Sequence, residues 1–122
     1  MLYHVLKGKI HRAHVTDHNV DYEGSVTLDA HLMAAAGIVP YEKVAVYNVS
    51  NGSRFETYAM VGEALSGVVC INGAAAHLAR KGDIVIIAAY GLVDGAPPEG
   101  YRPRLVYVDA ANREVKGEGE TT

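Results

Sequence analysis

Short runs rich in β-branched and aromatic residues recur at close spacing along this chain, and that rhythm restricts it to a mainly β fold. The runs are Met1 to Lys7, Lys9 to Thr16, Ser25 to Leu28, Lys43 to Val49, Arg54 to Val61, Gly67 to Ile71, Ile84 to Tyr90 and Leu105 to Asp109. Breaks such as Asn51-Gly52 and Lys81-Gly82-Asp83 separate several of them, the pattern of a sandwich or a small barrel. Helix is confined to one or two short pieces. Asp29 is placed to cap Ala30 to Ala36 and Gly37 to stop it, and Asn72 to His77 reads as a tight turn entering a short helix. Ala96-Pro97-Pro98-Glu99-Gly100 reads as a surface loop.

At 122 residues the chain is expected to form a single domain over residues 1–115, small enough that oligomerisation would help its stability. Residues 116–122 read as a flexible polar C-terminal tail. A formal net charge of −3 argues against a nucleic-acid partner, which needs a concentrated basic face. The longest apolar run, Ile84 to Tyr90, has the length of a buried strand, and no secretory h-region is recognisable. The chain therefore reads as soluble and cytoplasmic, with no membrane partner. Cys70 is the single cysteine, which excludes an intrachain disulfide; within Val68-Val69-Cys70-Ile71 it reads as a small buried hydrophobe with no catalytic part. Six histidines invite a metal reading. A strand over Ile10 to Thr16 would, however, put His11 on the opposite face from His14 and His18, and no acidic or sulfur ligand completes a set. No metal site is expected.

Chemistry concentrates at Tyr22-Glu23-Gly24-Ser25. A serine hydroxyl can attack the carbonyl of a preceding glycine, because glycine has no Cβ to block the approach and tolerates unusual backbone angles. The sequence carries its own control: Gly52-Ser53 follows Asn51 between two strand-like runs and reads as a type I′ hairpin turn. Gly24-Ser25 differs in its company. The accompanying motifs are Lys9-Ile10-His11-Arg12-Ala13, Asn51-Gly52-Ser53-Arg54, Thr57-Tyr58, Ile71-Asn72-Gly73-Ala74-Ala75-Ala76-His77 and Gly82-Asp83-Ile84-Val85-Ile86. In this order and spacing, from Lys9 to Asp83, the chain resembles the pyruvoyl-dependent L-aspartate 1-decarboxylases.

The resemblance implies a double-psi β-barrel, cleavage between Gly24 and Ser25, and a pyruvoyl cofactor made from Ser25 without metal or pyridoxal phosphate. It also implies decarboxylation of L-aspartate to β-alanine and CO2 for pantothenate synthesis, by a homotetramer with sites between neighbouring subunits. It leaves room for a helper protein in maturation. An N-to-O acyl shift at Ser25 would convert the amide to an ester, β-elimination would free Gly24 as a carboxylate, and the resulting dehydroalanine would hydrolyse to pyruvoyl and ammonia. The pyruvoyl ketone would then form a Schiff base with the substrate amine and act as the electron sink that pyridoxal phosphate provides elsewhere.

The resemblance assigns Thr57 to self-cleavage and to the substrate, and its hydroxyl could stabilise an oxyanion at Gly24. Taken alone, Thr57 is an ordinary β-branched strand residue. Arg54 offers a planar fork for a carboxylate and Lys9 a point charge; alone each would pass for a solvated surface cation, and the resemblance makes both substrate-binding. Tyr58 is the candidate proton donor, since a phenol is protonated at neutral pH. Strand alternation puts Arg54, Glu56 and Tyr58 on one face and Thr57 on the other, so a bulge is expected if both Thr57 and Tyr58 serve the site. His11 shares a face with Lys9 and could tune Tyr58 or assist cleavage, or be purely structural. By resemblance, Asn72 lies beside the reacting group, Gly73, Ala74 and Ala75 contact substrate through the main chain, and Tyr22 and Ile86 line the pocket. Two departures stand out: Glu63-Ala64-Leu65-Ser66 replaces a common Glu-Arg-Gly-Ser, and Tyr47 sits where other bulky residues are frequent. The alternative from another class is a non-catalytic double-psi barrel that binds a partner, with Gly24-Ser25 an intact turn.

Overall fold

The computed structural model describes residues 1–116; residues 117–122, which make up nearly all of the expected tail, lie outside the described residues. Among the described residues the chain is mainly β. The elements are β1 (Leu2–His14), β2 (Asp17–Asn19), β3 (Ser25–Asp29), α1 (Ala30–Ala36), β4 (Lys43–Asn48), β5 (Arg54–Gly62), β6 (Val69–Asn72), a short 3-10 helix (Gly73–His77), β7 (Ile84–Asp94), β8 (Arg104–Val108) and β9 (Glu114–Val115). The two expected runs before and after Gly8 are one strand. Gly8 stays within it because a Cβ there would collide with the Ala36 carbonyl oxygen, where the end of α1 presses on β1.

The strands hydrogen-bond in the order β2-β6-β3-β5-β4-β7-β1-β8-β9, with β1–β8, β2–β6 and β3–β5 parallel and the other neighbours antiparallel. Chain connectivity forces this open order to curl. β2 follows β1 after only Val15 and Thr16, yet lies six places away in the sheet. Three peptide links reach about 10 Å, whereas six flat strand spacings cover about 29 Å. The far ends of the sheet must therefore come together, and backbone bonds mark the seam: Val15 N–H to the Asp83 carbonyl at 2.9 Å and Thr16 N–H to the Val69 carbonyl at 2.8 Å. Asn112, only 1% exposed, closes it further, donating to the carbonyls of His14 (2.7 Å) and Gly67 (2.8 Å) and accepting from His14 N–H (2.8 Å). A curled, mainly β sheet of this kind is consistent with the expected double-psi barrel. Its inner face is apolar, with Ile10, Val26, Leu28, Val46, Ile71 and Ile87 all fully buried.

The expected helix and its caps are present. Asp29 accepts from His31 N–H at 2.8 Å, and Gly37 ends the helix with φ +73°. The same Asp29 carboxylate accepts from the N–H groups of Leu65 and Gly67, both at 2.9 Å, so the helix cap also anchors the Glu63–Ser66 loop. Burial pushes the Asp29 pKa up, but the backbone donors Gly67, Leu65, His31 and Leu32 outweigh it and hold the carboxyl below its usual range.

Two local expectations are corrected. The Asn51-Gly52 connection is not a type I′ turn, because only Gly52 (φ +80°) is left-handed; Gly52 N–H bonds the Asn48 carbonyl at 2.8 Å, a turn one residue wider. His11 and His14 do not face apart. The register of β1 against β7 shifts between Ile10 and Ala13, and Arg12 there has φ +59°. One extra residue between two buried positions reverses the alternation, so both histidines line one cleft with Tyr107 and Asp109.

Candidate active site

Ser25 opens β3, with β6 on one side and β5 on the other. Across the antiparallel β3–β6 ladder it faces Asn72, whose Nδ2 donates to Ser25 Oγ at 3.1 Å. Ser25 is 5% exposed, so this hydroxyl is held rather than solvated. On the other side the parallel β3–β5 ladder begins at Val26 and Ala59. Tyr58 and Thr57 are the β5 residues that immediately precede this ladder, as Ser25 and Gly24 precede it on the β3 side. The fold thus gathers Gly24, Ser25, Thr57, Tyr58 and Asn72 from three adjacent strands and the turn before them.

Gly73 completes this group. Its φ is +74°, and a Cβ there would stand 2.6 Å from Gly24 Cα and 3.0 Å from the Tyr22 carbonyl oxygen. Only glycine allows both that angle and that contact. Gly24 itself has open space on its Cβ side, with nothing within 4 Å. Ala74 and Ala75 follow Gly73 in the 3-10 helix, exposed and half-buried respectively, and Tyr22 is exposed. No bulge is needed at Thr57 and Tyr58: β5 pairs evenly with β4 there, Lys43 opposite Tyr58 and Val44 opposite Thr57. The two side chains point to opposite faces, and the Tyr58 ring stacks on Tyr41 with centroids 6.4 Å apart.

Lys9, Arg54 and Ile86 form a second group. Ile86, Tyr47 and Arg54 lie in one row across β7, β4 and β5, and Lys9 stands two rows on, opposite Ala88. The Arg54 guanidinium sits 4.4 Å over the Tyr47 ring, and Tyr47 Oη is 2.8 Å from Tyr90 Oη. Neither Arg54 nor Lys9 has a carboxylate partner among the described residues. Two uncompensated cations on one sheet face can receive a carboxylate. Yet Arg54 is four residues from Tyr58 along β5, roughly 13 Å, and no hydrogen bond or ion pair between described residues joins either cation to the Ser25 group. His11 is also apart. It packs edge-on against Tyr107 at 5.5 Å rather than against Tyr58, and burial, followed by the nearby Lys9 and Arg12 charges, lowers its pKa and favours the neutral imidazole.

The family model for aspartate decarboxylase matches residues 1–115. The chain belongs to the aspartate decarboxylase family. It is similar to the aspartate 1-decarboxylase of Syntrophus aciditrophicus, with 55% identity over 109 residues, 89% of this chain and 94% of that one. It is similar as well to those of Myxococcus xanthus (55% over 114 residues, 93% and 88%) and Leptospira biflexa serovar Patoc (56% over 117 residues, 95% and 99%).

Beside the residues that carry the aspartate decarboxylase resemblance, two partners of Asn72 went unread in the sequence. Cys70 Sγ donates to Asn72 Oδ1 at 3.3 Å, and Asn72 Nδ2 reaches Thr27 Oγ1 at 3.2 Å. Period-two spacing was the available signal: Cys70 lies two before Asn72 and Thr27 two after Ser25, so each pair shares a strand face.

Proposed function

We propose that this chain cleaves itself between Gly24 and Ser25, carries a pyruvoyl group derived from Ser25, and decarboxylates L-aspartate to β-alanine and CO2, a product used in pantothenate synthesis. The observation that carries this reading is the buried Ser25 hydroxyl, held by Asn72 beside an unobstructed Gly24, in a chain of the aspartate decarboxylase family. These residues suit the group: a nucleophile next to glycine, a fixed amide donor, and the Gly73 backbone against Gly24. Once formed, the group supplies an electron sink for the pair left behind by the departing carboxylate. The reading calls on no metal and no pyridoxal phosphate. Incubation of the mature protein with L-aspartate should release CO2 and β-alanine in equal amounts; mature protein inert toward aspartate would overturn the substrate assignment.

The chain's own residues divide the work. Thr57 donates its hydroxyl to the Gly24 carbonyl oxygen as charge builds there during the acyl shift. Thr57→Val keeps the β-branched shape and removes that donor, so cleavage should become slow or absent by denaturing gel; normal cleavage would leave Thr57 a structural or substrate role. Arg54 and Lys9 hold the substrate carboxylates, with Gly73, Ala74 and Ala75 offering main-chain contacts and Tyr22 and Ile86 lining the pocket. Tyr58 Oη holds the proton returned to the substrate carbon. His11, neutral and packed on Tyr107, supports the wall near Lys9.

The distance between the Arg54–Lys9 face and Ser25 within one chain supports an assembly in which the cationic face of one subunit covers the Ser25 group of its neighbour, and we infer a homotetramer. Arg54→Ala should mature normally but bind aspartate roughly 10- to 150-fold more weakly, the equivalent of a charge-assisted hydrogen bond of about 1.5–3 kcal/mol. An unchanged KM and rate in that variant would hand the carboxylate to Lys9.

A further inference from the structure

We propose that Cys70 and Thr27 are positioning residues which turn the Asn72 amide so that its N–H groups, not its oxygen, face Ser25 Oγ, and that this donation drives the elimination step of maturation. The proposal rests on the self-cleavage reading above.

Four side chains form a square on neighbouring strands. The β3–β6 ladder pairs Ser25 with Asn72 and Thr27 with Cys70, and the Asn72 amide lies 3.1–3.3 Å from the polar atoms of the other three. Asn72 is 5% exposed, so its amide must find its partners within the protein. A primary amide can rotate by 180° with almost no change of shape, and the neighbours decide which end faces where. Here Oδ1 takes the Cys70 thiol proton, while Nδ2 spends its two N–H groups on Ser25 Oγ and Thr27 Oγ1. The flipped amide would press Nδ2 against a protonated thiol, a poor acceptor. Burial, with Asp17 acting in the same direction, raises the Cys70 pKa, which keeps that proton in place at neutral pH.

The direction of the amide matters at one step. In the acyl shift, Ser25 Oγ bonds to the Gly24 carbonyl carbon, the C–N bond breaks, and the hydroxyl proton ends on the Ser25 nitrogen; negative charge builds on the Gly24 carbonyl oxygen, where Thr57 donates. In the elimination, the Ser25 Cα proton passes to a water-borne base, its electron pair forms the Cα=Cβ bond, and the Cβ–Oγ bond breaks. Gly24 then leaves as a carboxylate that includes Oγ. Oγ becomes the leaving oxygen and keeps the bonding electron pair in this second step, where an N–H aimed at it strengthens as the bond breaks. Thr57 thus serves the shift, and Asn72, aimed by Cys70 and Thr27, serves the elimination.

The test compares wild type, Cys70→Ala, Cys70→Ser and Thr27→Val. Each is warmed after purification and followed by denaturing intact mass, with and without hydroxylamine, which cleaves esters and spares amides. Cys70→Ala and Thr27→Val should accumulate a hydroxylamine-sensitive uncleaved chain and form pyruvoyl about five- to tenfold more slowly. Cys70→Ser, whose hydroxyl donates in the same direction, should mature like wild type. A purely structural role would not trap the ester. Wild-type kinetics in Cys70→Ala, or slowing in which the uncleaved chain resists hydroxylamine, overturns the proposal while leaving self-cleavage intact. Should Cys70→Ala fail to fold, Thr27→Val decides by the same criterion. A wild type that stays whole and hydroxylamine-resistant defeats the self-cleavage reading itself, and this proposal with it.

Discussion

Ser25→Ala should leave the chain whole, folded and without decarboxylase activity. The substitution removes Oγ, the one atom that can attack the Gly24 carbonyl and later leave with it, so neither the acyl shift nor the elimination has a path. The structural cost is small. β3 keeps its ladders to β5 and β6, and Asn72 Nδ2 keeps Thr27 Oγ1 as an acceptor. One N–H of a buried amide loses its partner, a penalty of about 1–3 kcal/mol. Denaturing mass should show a single uncut chain, and CO2 release from aspartate should fall to the background rate. Cleavage at the same bond in this variant would mean that the nucleophile is not Ser25.

Tyr58→Phe should have the largest effect of any substitution that leaves maturation untouched. The ring remains, so its stacking on Tyr41 and the pairing of β5 with β4 are preserved. Ser25, Asn72 and Thr57 keep their atoms, so cleavage should run as in wild type. What is lost is the Oη proton. Without a positioned acid, turnover per pyruvoyl should drop about 10²- to 10⁴-fold, with a much smaller change in KM. Normalising to pyruvoyl content separates this loss from incomplete maturation. Turnover at the wild-type rate would remove Tyr58 from the chemistry.

Much of the architecture was legible because local chemistry and tertiary environment agree. Asp29 and Gly37 mark α1 by the hydrogen bond and the left-handed angle that helix ends require. The strands were readable where alternation divides apolar from polar residues, as along Lys43–Asn48, where Val44, Val46 and Asn48 point inward. β2 and β9 escaped notice because three and two residues carry no period. The bulge at Arg12 was invisible for a different reason: it is set by the pairing of β1 with β7, more than seventy residues away, and nothing in His11-Arg12-Ala13 announces it. The same holds for the candidate site. Its residue types were readable one by one, but the gap between Arg54 and Ser25 follows from the register of β3 against β5, whose ladder begins at Val26 and Ala59, five residues along from Arg54, and no local pattern encodes that pairing. Cys70 shows the same limit: an apolar run suggests burial without saying which neighbour a thiol will meet, and the half-buried thiol meets Asn72.

The central claim is that the bond between Gly24 and Ser25 breaks by the action of the chain itself, and denaturing intact mass of purified wild-type protein tests it most directly. The account predicts two chains: residues 1–24 ending in a free Gly24 carboxylate, and residues 25–122 beginning with a pyruvoyl group and therefore lacking a free amine at its start. A folded preparation that remains one chain of 122 residues after prolonged warming, with an intact Gly24-Ser25 amide, would contradict it.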